Sequence, residues 1–235
     1  MKRNTYTTEI KYKYFHWGPF LFHTQITAEE CQMVIKEGKK CRKKLNDFRH
    51  ELAGHLSEEY ILKNPKEITA WLRKYFEAYA TGYNTWRRGG SMGTKFKLTP
   101  LWINYMKAGD FNPPHHHNGH LSFVLYPSMP EKIIEENKTF RGKRNPGGGP
   151  GSISWMYGED VSQCISVVTH LPQTGDLFIF PASLKHWVFP FRSKVERISV
   201  SGNVLFEKES QKKEEDVNLS IGGGGGSNFD HSDRS

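Results

Sequence analysis

The fold is decided near the middle of the chain, where the sequence reads Asn112-Pro113-Pro114-His115-His116-His117-Asn118-Gly119-His120-Leu121-Ser122-Phe123-Val124-Leu125-Tyr126. Two prolines restrict the backbone ahead of four imidazoles, and an apolar run typical of a buried strand follows them. The histidines therefore lie where a loop meets a strand. Neutral imidazole is the commonest protein ligand for a transition metal, so the stretch predicts a metal site on a β scaffold.

The downstream half of the chain is a succession of short strand candidates. They cover residues 98–106, 121–126, 163–170, 177–180, 186–191 and 197–206, with Gly, Pro and Asp residues in the intervening turns. Short strands at this density predict a jelly roll or a similar barrel in a mainly β fold. A long loop is expected at about residues 129–160, and its Gly-rich part, residues 145–151, is predicted to act as a lid at the barrel mouth.

The upstream part predicts a helical scaffold after an opening strand. Residues 5–25 alternate aromatic and polar groups, as one or two edge strands do. Thr27 and Glu30 match a capping box, so a helix should begin at Ala28, and residues 48–62 are expected to continue helical. A second helix is expected after Asn64-Pro65, with one apolar face made by Ile68, Trp71, Leu72, Tyr75, Phe76 and Tyr79.

These patterns divide the chain into three parts. Residues 1–97 are expected to form a strand and helical scaffold packed on the barrel, and residues 98–206 to form the barrel core. Residues 207–235 are expected to form a flexible tail, because their charged run and their glycines cannot bury enough apolar surface to fold. A chain of 235 residues is long enough for one main domain.

Charge and cysteine usage narrow the possible partners. The 33 Lys and Arg residues outnumber the 25 Asp and Glu residues, which favours anionic partners such as small dicarboxylates or nucleic acid. No apolar run approaches the ~20 residues that a membrane helix needs, so no membrane partner is expected. Three cysteines without metal-site spacing, and an N-terminus without an apolar signal segment, predict a cytoplasmic protein.

Strand geometry selects the candidate metal ligands. On an extended segment, residues i and i+2 share a face, so His115 and His117 can point together while His116 points away. His186 lies far downstream at the start of a strand and supplies the third imidazole. The rival to His115 is His120, which a turn at Asn118-Gly119 could bring beside His117. The predicted ligand set is His115, His117 and His186, with His120 as the alternative ligand.

The strand from Arg197 to Val204 alternates strictly between polar and apolar side chains. Ile198, Val200 and Val204 point one way, and the opposite face carries Arg197, Ser199, Ser201 and Asn203. A polar face of this kind is the solvent face of a sheet, or else it lines a wet, cationic barrel interior. In the second case Arg197 beside Ser199 would form a charge-assisted clamp for a carboxylate.

These stretches together resemble the Fe(II)/2-oxoglutarate-dependent dioxygenases, specifically the group of 2OG-Fe(II) oxygenases found often in bacteriophage genomes. The resemblance covers roughly residues 45–206 and is carried by Trp102-Ile103-Asn104-Tyr105, the stretch from Phe111 to Tyr126, Gly175-Asp176-Leu177-Phe178-Ile179-Phe180-Pro181, Lys185-His186-Trp187 and Arg197-Ile198-Ser199-Val200-Ser201-Gly202-Asn203. The combination is far more specific than any one of its pieces.

The resemblance implies a double-stranded β-helix, that is, a cupin-like jelly roll, with N-terminal helices on one sheet. His186 matches the distal metal ligand, and Arg197 with Ser199 matches the element that holds the C5 carboxylate of 2-oxoglutarate. Asn104 and Tyr105 are assigned to the binding site of the same cosubstrate. Fe(II) and 2-oxoglutarate are the implied cofactors, ascorbate is the expected reductant, and hydroxylation of a bound substrate is the implied reaction.

One departure from that family concerns the proximal motif. The usual motif is His-x-Asp or His-x-Glu, whereas His117 stands here at the place of the acid, and no acid occurs between Asp110 and Glu131. A neutral ligand at that place leaves the metal complex one charge more positive.

Other classes of function stay open at this stage. A non-catalytic metal-binding jelly-roll module, cupin-like and used for binding or structure, would bind metal without depending on 2-oxoglutarate. The basic charge also allows an oxygenase acting on nucleic acid, although a protein side chain or a small molecule is the favoured substrate. The sequence does not define the substrate or the oligomeric state.

Overall fold

In a computed structural model of the chain, the residues described are 18–43, 47–49, 54–62, 66–87, 92, 95–141, 148–159 and 164–206. The predicted tail at residues 207–235 and most of the predicted strand region at residues 5–25 lie outside this part of the chain. None of the described helices is long and apolar enough to span a membrane.

Two antiparallel sheets and three helices make up the described structure. In chain order the elements are β1 (Phe22–Gln25), α1 (Ala28–Lys43), β2 (Glu59–Ile61), α2 (Lys66–Arg87), β3 (Phe96–Leu98), β4 (Trp102–Met106), β5 (Asn112–His115), β6 (Leu121–Ser128), α3 (Glu131–Arg141), β7 (Ile153–Met156), β8 (Val167–His170), β9 (Asp176–Pro181), β10 (Lys185–Val188) and β11 (Arg197–Phe206). The predicted mainly β fold with N-terminal helices is confirmed.

The strand order is that of a jelly roll. The large sheet has the order β1-β9-β6-β11-β4-β2, with β3 paired to the end of β11, and the small sheet has the order β5-β10-β7-β8. Neighbours such as β6 and β9 or β4 and β11 are distant in sequence, as the crossovers of a double-stranded β-helix require. The sheets face each other without closing into a complete barrel, and one cavity is lined from both.

The helices α1 and α2 cover the outer face of the large sheet. The capping box of α1 is confirmed, because the Thr27 amide donates to Glu30 Oε2 at 2.9 Å and the Glu30 amide donates to Thr27 Oγ1 at 3.2 Å. The predicted apolar face of α2 is also confirmed, with its innermost side chains buried against the sheet: Ile68, Leu72, Phe76 and Tyr79. This helix layer makes the large sheet a two-sided, buried scaffold.

Alternation along each strand divides the interior into two compartments. Val200 and Val204 of β11 pack with the helices, and so do Phe123 and Leu125 of β6. The intervening residues point between the sheets, where a second apolar cluster contains Tyr126, Phe178, Phe180, Trp155 and Ile153. The polar face of β11 belongs to this inner compartment, since Arg197 is 1% exposed and Ser199 is 3% exposed. The solvent-face interpretation of that strand is therefore wrong.

Two predicted elements are wrong. The helix expected at residues 48–62 is absent from the described part of that range, because Glu59–Ile61 forms the edge strand β2, which pairs with β4. β2 is only three residues long, so its sequence shows no recognisable alternation. Its conformation is fixed by its pairing with the buried strand β4.

The long loop expected at about residues 129–160 contains α3 and β7. Ile133 of α3 is fully buried, and Glu136 of α3 accepts the Arg192 and Ser193 amides at 2.9 and 2.8 Å. Gly151 adopts φ +76°, and a Cβ there would lie 2.4 Å from Ile133 Cγ2, so only glycine fits. Residues 148–151 thus form a packed turn and not a lid, and residues 142–147 lie outside the described part.

Candidate metal centre and its pocket

Three imidazoles converge at one end of the cavity between the sheets. His115 ends β5, His117 follows it, and His186 lies on β10, directly opposite His115 in the strand register. One ring nitrogen from each of the three lies within 4.8 Å of the others, although residues of two distant segments supply them. The ring centroids of His115 and His186 are 4.3 Å apart. The predicted set of His115, His117 and His186 is therefore brought together.

Hydrogen bonds fix which nitrogen faces the centre. His115 Nδ1 lies 2.7 Å from the Pro113 carbonyl oxygen, and His186 Nδ1 lies 2.9 Å from the Leu184 carbonyl oxygen. Because a carbonyl can only accept, each Nδ1 carries the proton and each Nε2 keeps a free lone pair. Such backbone hydrogen bonds are the usual means of orienting metal-ligating histidines.

Burial keeps these imidazoles neutral. Desolvation lowers the pKa of His186 to about 3 and, reinforced by the neighbouring His115 and His116, lowers that of His117 to about 4. The pKa of His115 is lowered by the same burial, against the opposing effect of the Pro113 carbonyl. All three rings can offer lone pairs at neutral pH without first losing a proton.

The other clustered histidines lie outside this group. His116 is exposed and points away from its neighbours, as strand alternation predicts. His120 is also exposed, and its Nδ1 accepts the Phe206 amide at 2.9 Å. The turn at Asn118-Gly119 carries His120 toward the end of β11 instead of back to His117. The alternative ligand set containing His120 is not brought together.

A buried arginine occupies the deeper part of the same cavity. Arg197 donates from one terminal nitrogen to the Gly151 carbonyl oxygen at 3.2 Å, and its guanidinium lies 5.3 Å from the Tyr126 ring centroid. Its Nε and the Tyr126 hydroxyl have no hydrogen-bond partner among the described residues. Unmet buried donors of this kind cost free energy and therefore indicate a ligand that pairs with them.

Asn104 and Ser199 line the cavity between the histidines and Arg197. The two residues are opposite each other in the register of β4 and β11, and Asn104 Nδ2 lies 3.4 Å from Ser199 Oγ. Tyr105 does not lie in the pocket, which corrects its predicted role at the cosubstrate site. Adjacent strand residues point to opposite faces, so the Tyr105 ring packs toward α1, with Arg42 4.3 Å from its centroid.

Glu59 is a pocket residue that the sequence did not indicate. It is 1% exposed and stands opposite Asn104 in the register of β2 and β4, and its Oε2 has no partner among the described residues. Burial is the main cause that raises its pKa to about 7; the positive charge of Arg49 opposes this shift, and the negative charges of Asp110 and Asp47 add to it. Only a strand assignment at residues 59–61 could have directed attention to this side chain.

Stability should respond to Glu59 and to its sequence neighbour Glu58 in opposite ways. Although burial opposes its ionisation, hydrogen bonds from Arg42, Lys107 and Tyr60 lower the pKa of Glu58 to about 2. Glu59 is destabilising once ionised, so Glu59→Gln should raise the melting temperature, with a gain that appears above pH 4.5 and is complete above about pH 7. Glu58→Gln should lower it above pH 4.5, and its effect should fade as the pH falls through about 2.

Thermal melts of the two metal-free variants between pH 4 and 8 test this pair. Shifts of roughly 2–8 °C in opposite directions are expected at pH 8. A Glu59→Gln variant that melts below the parent protein at pH 8 would contradict the description of Glu59 as a buried, unpaired carboxylate.

A second group of His and Asp residues lies where β1, β8 and β9 meet. Asp176 accepts hydrogen bonds from His23 Nε2 at 2.9 Å, His170 Nε2 at 3.1 Å, the Gln173 amide at 2.8 Å and Gln25 at 3.3 Å. Burial opposes its ionisation, but these four donors hold the pKa of Asp176 well below its usual range. The group is thus explained as a hydrogen-bond centre that joins the two sheets.

Comparisons with known proteins agree with this geometry. No curated protein matches the chain significantly. Among solved structures, the chain is similar to a prolyl-4-hydroxylase of Pseudomonas putida, with a TM-score of 0.52 and 15% identity over 80% of this chain and 93% of that one. It is also similar to a viral collagen prolyl hydroxylase of Paramecium bursaria Chlorella virus-1 in complex with 2-oxoglutarate, with a TM-score of 0.51 and 12% identity over 80% and 96% of the two chains.

A third similar structure is the non-haem α-ketoglutarate-dependent epimerase SnoN from nogalamycin biosynthesis, with a TM-score of 0.50 and 11% identity over 79% and 78% of the two chains. At these identities the three structures establish the fold alone, which is the double-stranded β-helix. Residues 100–203, the segment that carries the histidine cluster and Arg197, match the family model described as "Putative 2OG-Fe(II) oxygenase". The segment that carries the candidate site therefore matches the family of Fe(II)- and 2-oxoglutarate-dependent oxygenases.

Proposed function

We propose that the chain is an Fe(II)- and 2-oxoglutarate-dependent oxygenase, a hydroxylase that holds iron with His115, His117 and His186 and holds 2-oxoglutarate with Arg197, Ser199 and Asn104. The observation that carries the proposal is that three convergent imidazoles and a buried, incompletely paired arginine line one cavity. Ascorbate is proposed as the reductant that keeps the iron in the Fe(II) state. Residues 98–206 would be the catalytic core, and residues 1–97 its supporting scaffold.

The three imidazoles suit iron. Imidazole is an accepted ligand for Fe(II), and three nitrogens on one side leave open positions for a cosubstrate and for oxygen. Bound iron would supply the oxidative decarboxylation of 2-oxoglutarate to succinate and CO2 that accompanies oxidation of a substrate. The chain holds the rings in place through the Pro113 and Leu184 carbonyls, so the site does not need to rearrange on binding.

The deeper pocket suits a dicarboxylate. Arg197 can donate to a carboxylate from its guanidinium, the Tyr126 hydroxyl can add a second donor, and the Ser199 hydroxyl lies on the same face of β11 as Arg197. Burial raises the pKa of Tyr126 to about 12, so its hydroxyl stays protonated and able to donate. One row of polar residues, Asn104 and Ser199, separates Arg197 from the imidazoles, as a short, extended acid bound at both ends would require.

A protein side chain or a small molecule is the proposed substrate. Two of the similar structures are named for prolyl hydroxylation and the third for a step of nogalamycin biosynthesis, which favours these two classes over nucleic acid. The resemblance to the bacteriophage group leads us to propose a phage-encoded enzyme that acts in the host cytoplasm.

Release of succinate from purified protein tests the proposal. The protein is incubated with Fe(II), ascorbate, oxygen and 2-oxoglutarate, and succinate is measured by mass spectrometry with and without a candidate peptide library. Slow succinate release is expected even without substrate, and it should be absent from the His186→Ala variant. Metal binding without any 2-oxoglutarate binding would instead indicate the non-catalytic metal-binding module.

Exchange of tyrosine for phenylalanine at two positions tests the pocket assignment. Tyr126→Phe removes the unpartnered hydroxyl beside Arg197 and should weaken 2-oxoglutarate binding about three- to tenfold, as loss of one hydrogen bond to a charged group does. The matched control is Tyr105→Phe, whose ring faces α1, and it should bind 2-oxoglutarate as the parent does. Equal weakening in both variants, measured by calorimetry, would refute the pocket assignment.

A further inference from the structure

Glu59 belongs to a row of polar residues that crosses the large sheet. In the strand register Glu59 of β2 faces Asn104 of β4, and Asn104 faces Ser199 of β11. All three side chains line the same cavity as His115 and His117. Ser199 follows Arg197 on the same face of β11, and the next pair, Ser201 and Trp102, lies beside His117, whose ring centroid is 5.6 Å from that of Trp102. The row that contains Glu59 therefore lies between Arg197 and the imidazoles.

The surroundings of Glu59 hold its carboxyl group at this place. A Cβ on Gly54 would lie 3.3 Å from Glu59 Oε1 and 2.3 Å from Asn112 Oδ1, so the absence of a side chain at Gly54 leaves room for both oxygens. Asn112 Oδ1, Asn104 Oδ1 and Glu59 Oε2 all lack a hydrogen-bond partner among the described residues. Three unmet buried acceptors on one side of a cavity form a negatively polarised wall.

Among the described residues no cation forms an ion pair with Glu59, because Arg49, whose charge acts on Glu59 from a distance, is itself paired with Asp47. Ionising a buried carboxyl group without a partner is unfavourable. Such groups are found mainly at functional sites, where a bound ligand compensates for the unfavourable free energy. A structural role does not account for it, because glutamine or an apolar residue would fill the same volume without the charge.

The metal site lacks the negative charge that Glu59 could supply. Three neutral imidazoles add nothing to the two positive charges of Fe(II), Arg197 adds one more, and 2-oxoglutarate brings two negative charges. The loaded pocket would therefore carry one net positive charge in an interior that disfavours it. One carboxylate in the cavity wall restores neutrality.

We propose that Glu59 supplies the negative charge that the H-x-H motif lacks, acting on the bound metal through space from the wall formed by β2. Glu59 lies outside the group of ligand atoms within 4.8 Å of one another, so it is a positioning and charge-balancing residue and not a fourth ligand. The inference rests on the proposed metal and cosubstrate sites. It predicts that the carboxylate attracts the metal and repels the dicarboxylate.

Calorimetric titrations of Glu59→Gln test this charge effect. Fe(II) binding under anaerobic conditions should weaken about tenfold or more, as loss of a charge from the wall of the same buried cavity does. Binding of 2-oxoglutarate to the metal-free protein should be unchanged or tighter. Opposite or unequal effects on the two ligands distinguish a charge from a residue that merely shapes the pocket, which would weaken both.

Glu58→Gln is the matched control. It removes the same charge one residue earlier in the chain, but Glu58 pairs with Arg42 and Lys107, away from the cavity. Fe(II) affinity should stay within about twofold of that of the parent protein, because a charge outside the cavity is screened by solvent and by its paired cations. If Glu58→Gln and Glu59→Gln weaken Fe(II) binding alike, the effect is one of net charge and the inference is overturned.

The remaining outcomes also decide the matter. Unchanged Fe(II) affinity in a folded Glu59→Gln variant overturns the inference. The proposed function would still stand in that case, because the three histidines would still bind Fe(II). A Glu59→Gln variant that is less stable than the parent makes Glu59 a structural residue and also overturns it. Parent protein that binds no Fe(II) would overturn the proposed function itself, and the inference with it.

Discussion

Replacing His186 with alanine should abolish tight Fe(II) binding, which is the largest effect expected of any single substitution in this protein. His186 is buried, its Nδ1 proton is engaged by the Leu184 carbonyl, and its free Nε2 faces His115 and His117. Removal of one of three protein ligands leaves two, which bind a divalent ion only weakly. Anaerobic titration of the metal-free protein with Fe(II) should show a loss of at least 100-fold, and His115→Ala and His117→Ala should behave in the same way.

His116→Ala and His120→Ala are the matched controls for this series. His116 is exposed, and His120 is engaged by the Phe206 amide near the end of β11. His116→Ala should be nearly silent, and His120→Ala should cost less than loss of a ligand does. A His120 variant that loses Fe(II) while the His115 variant retains it would show that the assignment is wrong.

Replacing Arg197 with alanine should weaken 2-oxoglutarate binding at least tenfold while leaving the metal bound. Arg197 is fully buried and lines the cavity where the distal carboxylate would lie, and its Nε has no hydrogen-bond partner among the described residues. Truncation of one partner of a buried, charge-assisted pair costs about 2–5 kcal/mol. The measurement is calorimetric titration with 2-oxoglutarate in the presence of Fe(II) and the absence of oxygen.

Two further variants sharpen the Arg197 experiment. Arg197→Lys keeps the charge but not the planar fork of donors, so it should recover only part of the lost affinity. Arg192→Ala removes an exposed arginine just before β11 and should bind 2-oxoglutarate as the parent does. Unchanged 2-oxoglutarate affinity in Arg197→Ala, with the fold verified by circular dichroism, would remove the carboxylate clamp from the proposed function.

The predictable parts of this structure are those in which residue type and spacing agree. The capping box at Thr27 and Glu30 specifies the start of α1, because both partners lie within one helical turn. The strand candidate at residues 197–206, which contains the alternation from Arg197 to Val204, has the limits observed for β11. Likewise, the i, i+2 spacing of His115 and His117 predicted two rings on one side, and a distant His186 completes the group.

The parts that sequence did not predict depend on long-range pairing. β2 is three residues long, and its strand conformation depends on the pairing of Glu59, Tyr60 and Ile61 with β4. α3 lies between Pro130 and a Gly-rich stretch, and this composition predicts a loop. The helix is stabilised instead by burial of Ile133, which the composition does not indicate. Glu59 could not be recognised as a pocket residue because its neighbours in space, Asn104 and Asn112, are distant in the chain.

Because His115 and His186 pair across β5 and β10, a metal ion bound by both rings would also hold the edge of the small sheet together. β5 is an edge strand whose pairing with β10 is irregular between His186 and Val188. An unfolded chain would have to close a loop of roughly 70 residues to bring these rings together, at a cost of about 4 kcal/mol. An ion that binds only the closed arrangement at 100 times its dissociation constant returns about 2.7 kcal/mol. Amide exchange in β5 should therefore slow when Fe(II) is added, so iron supply would set how long this edge stays closed.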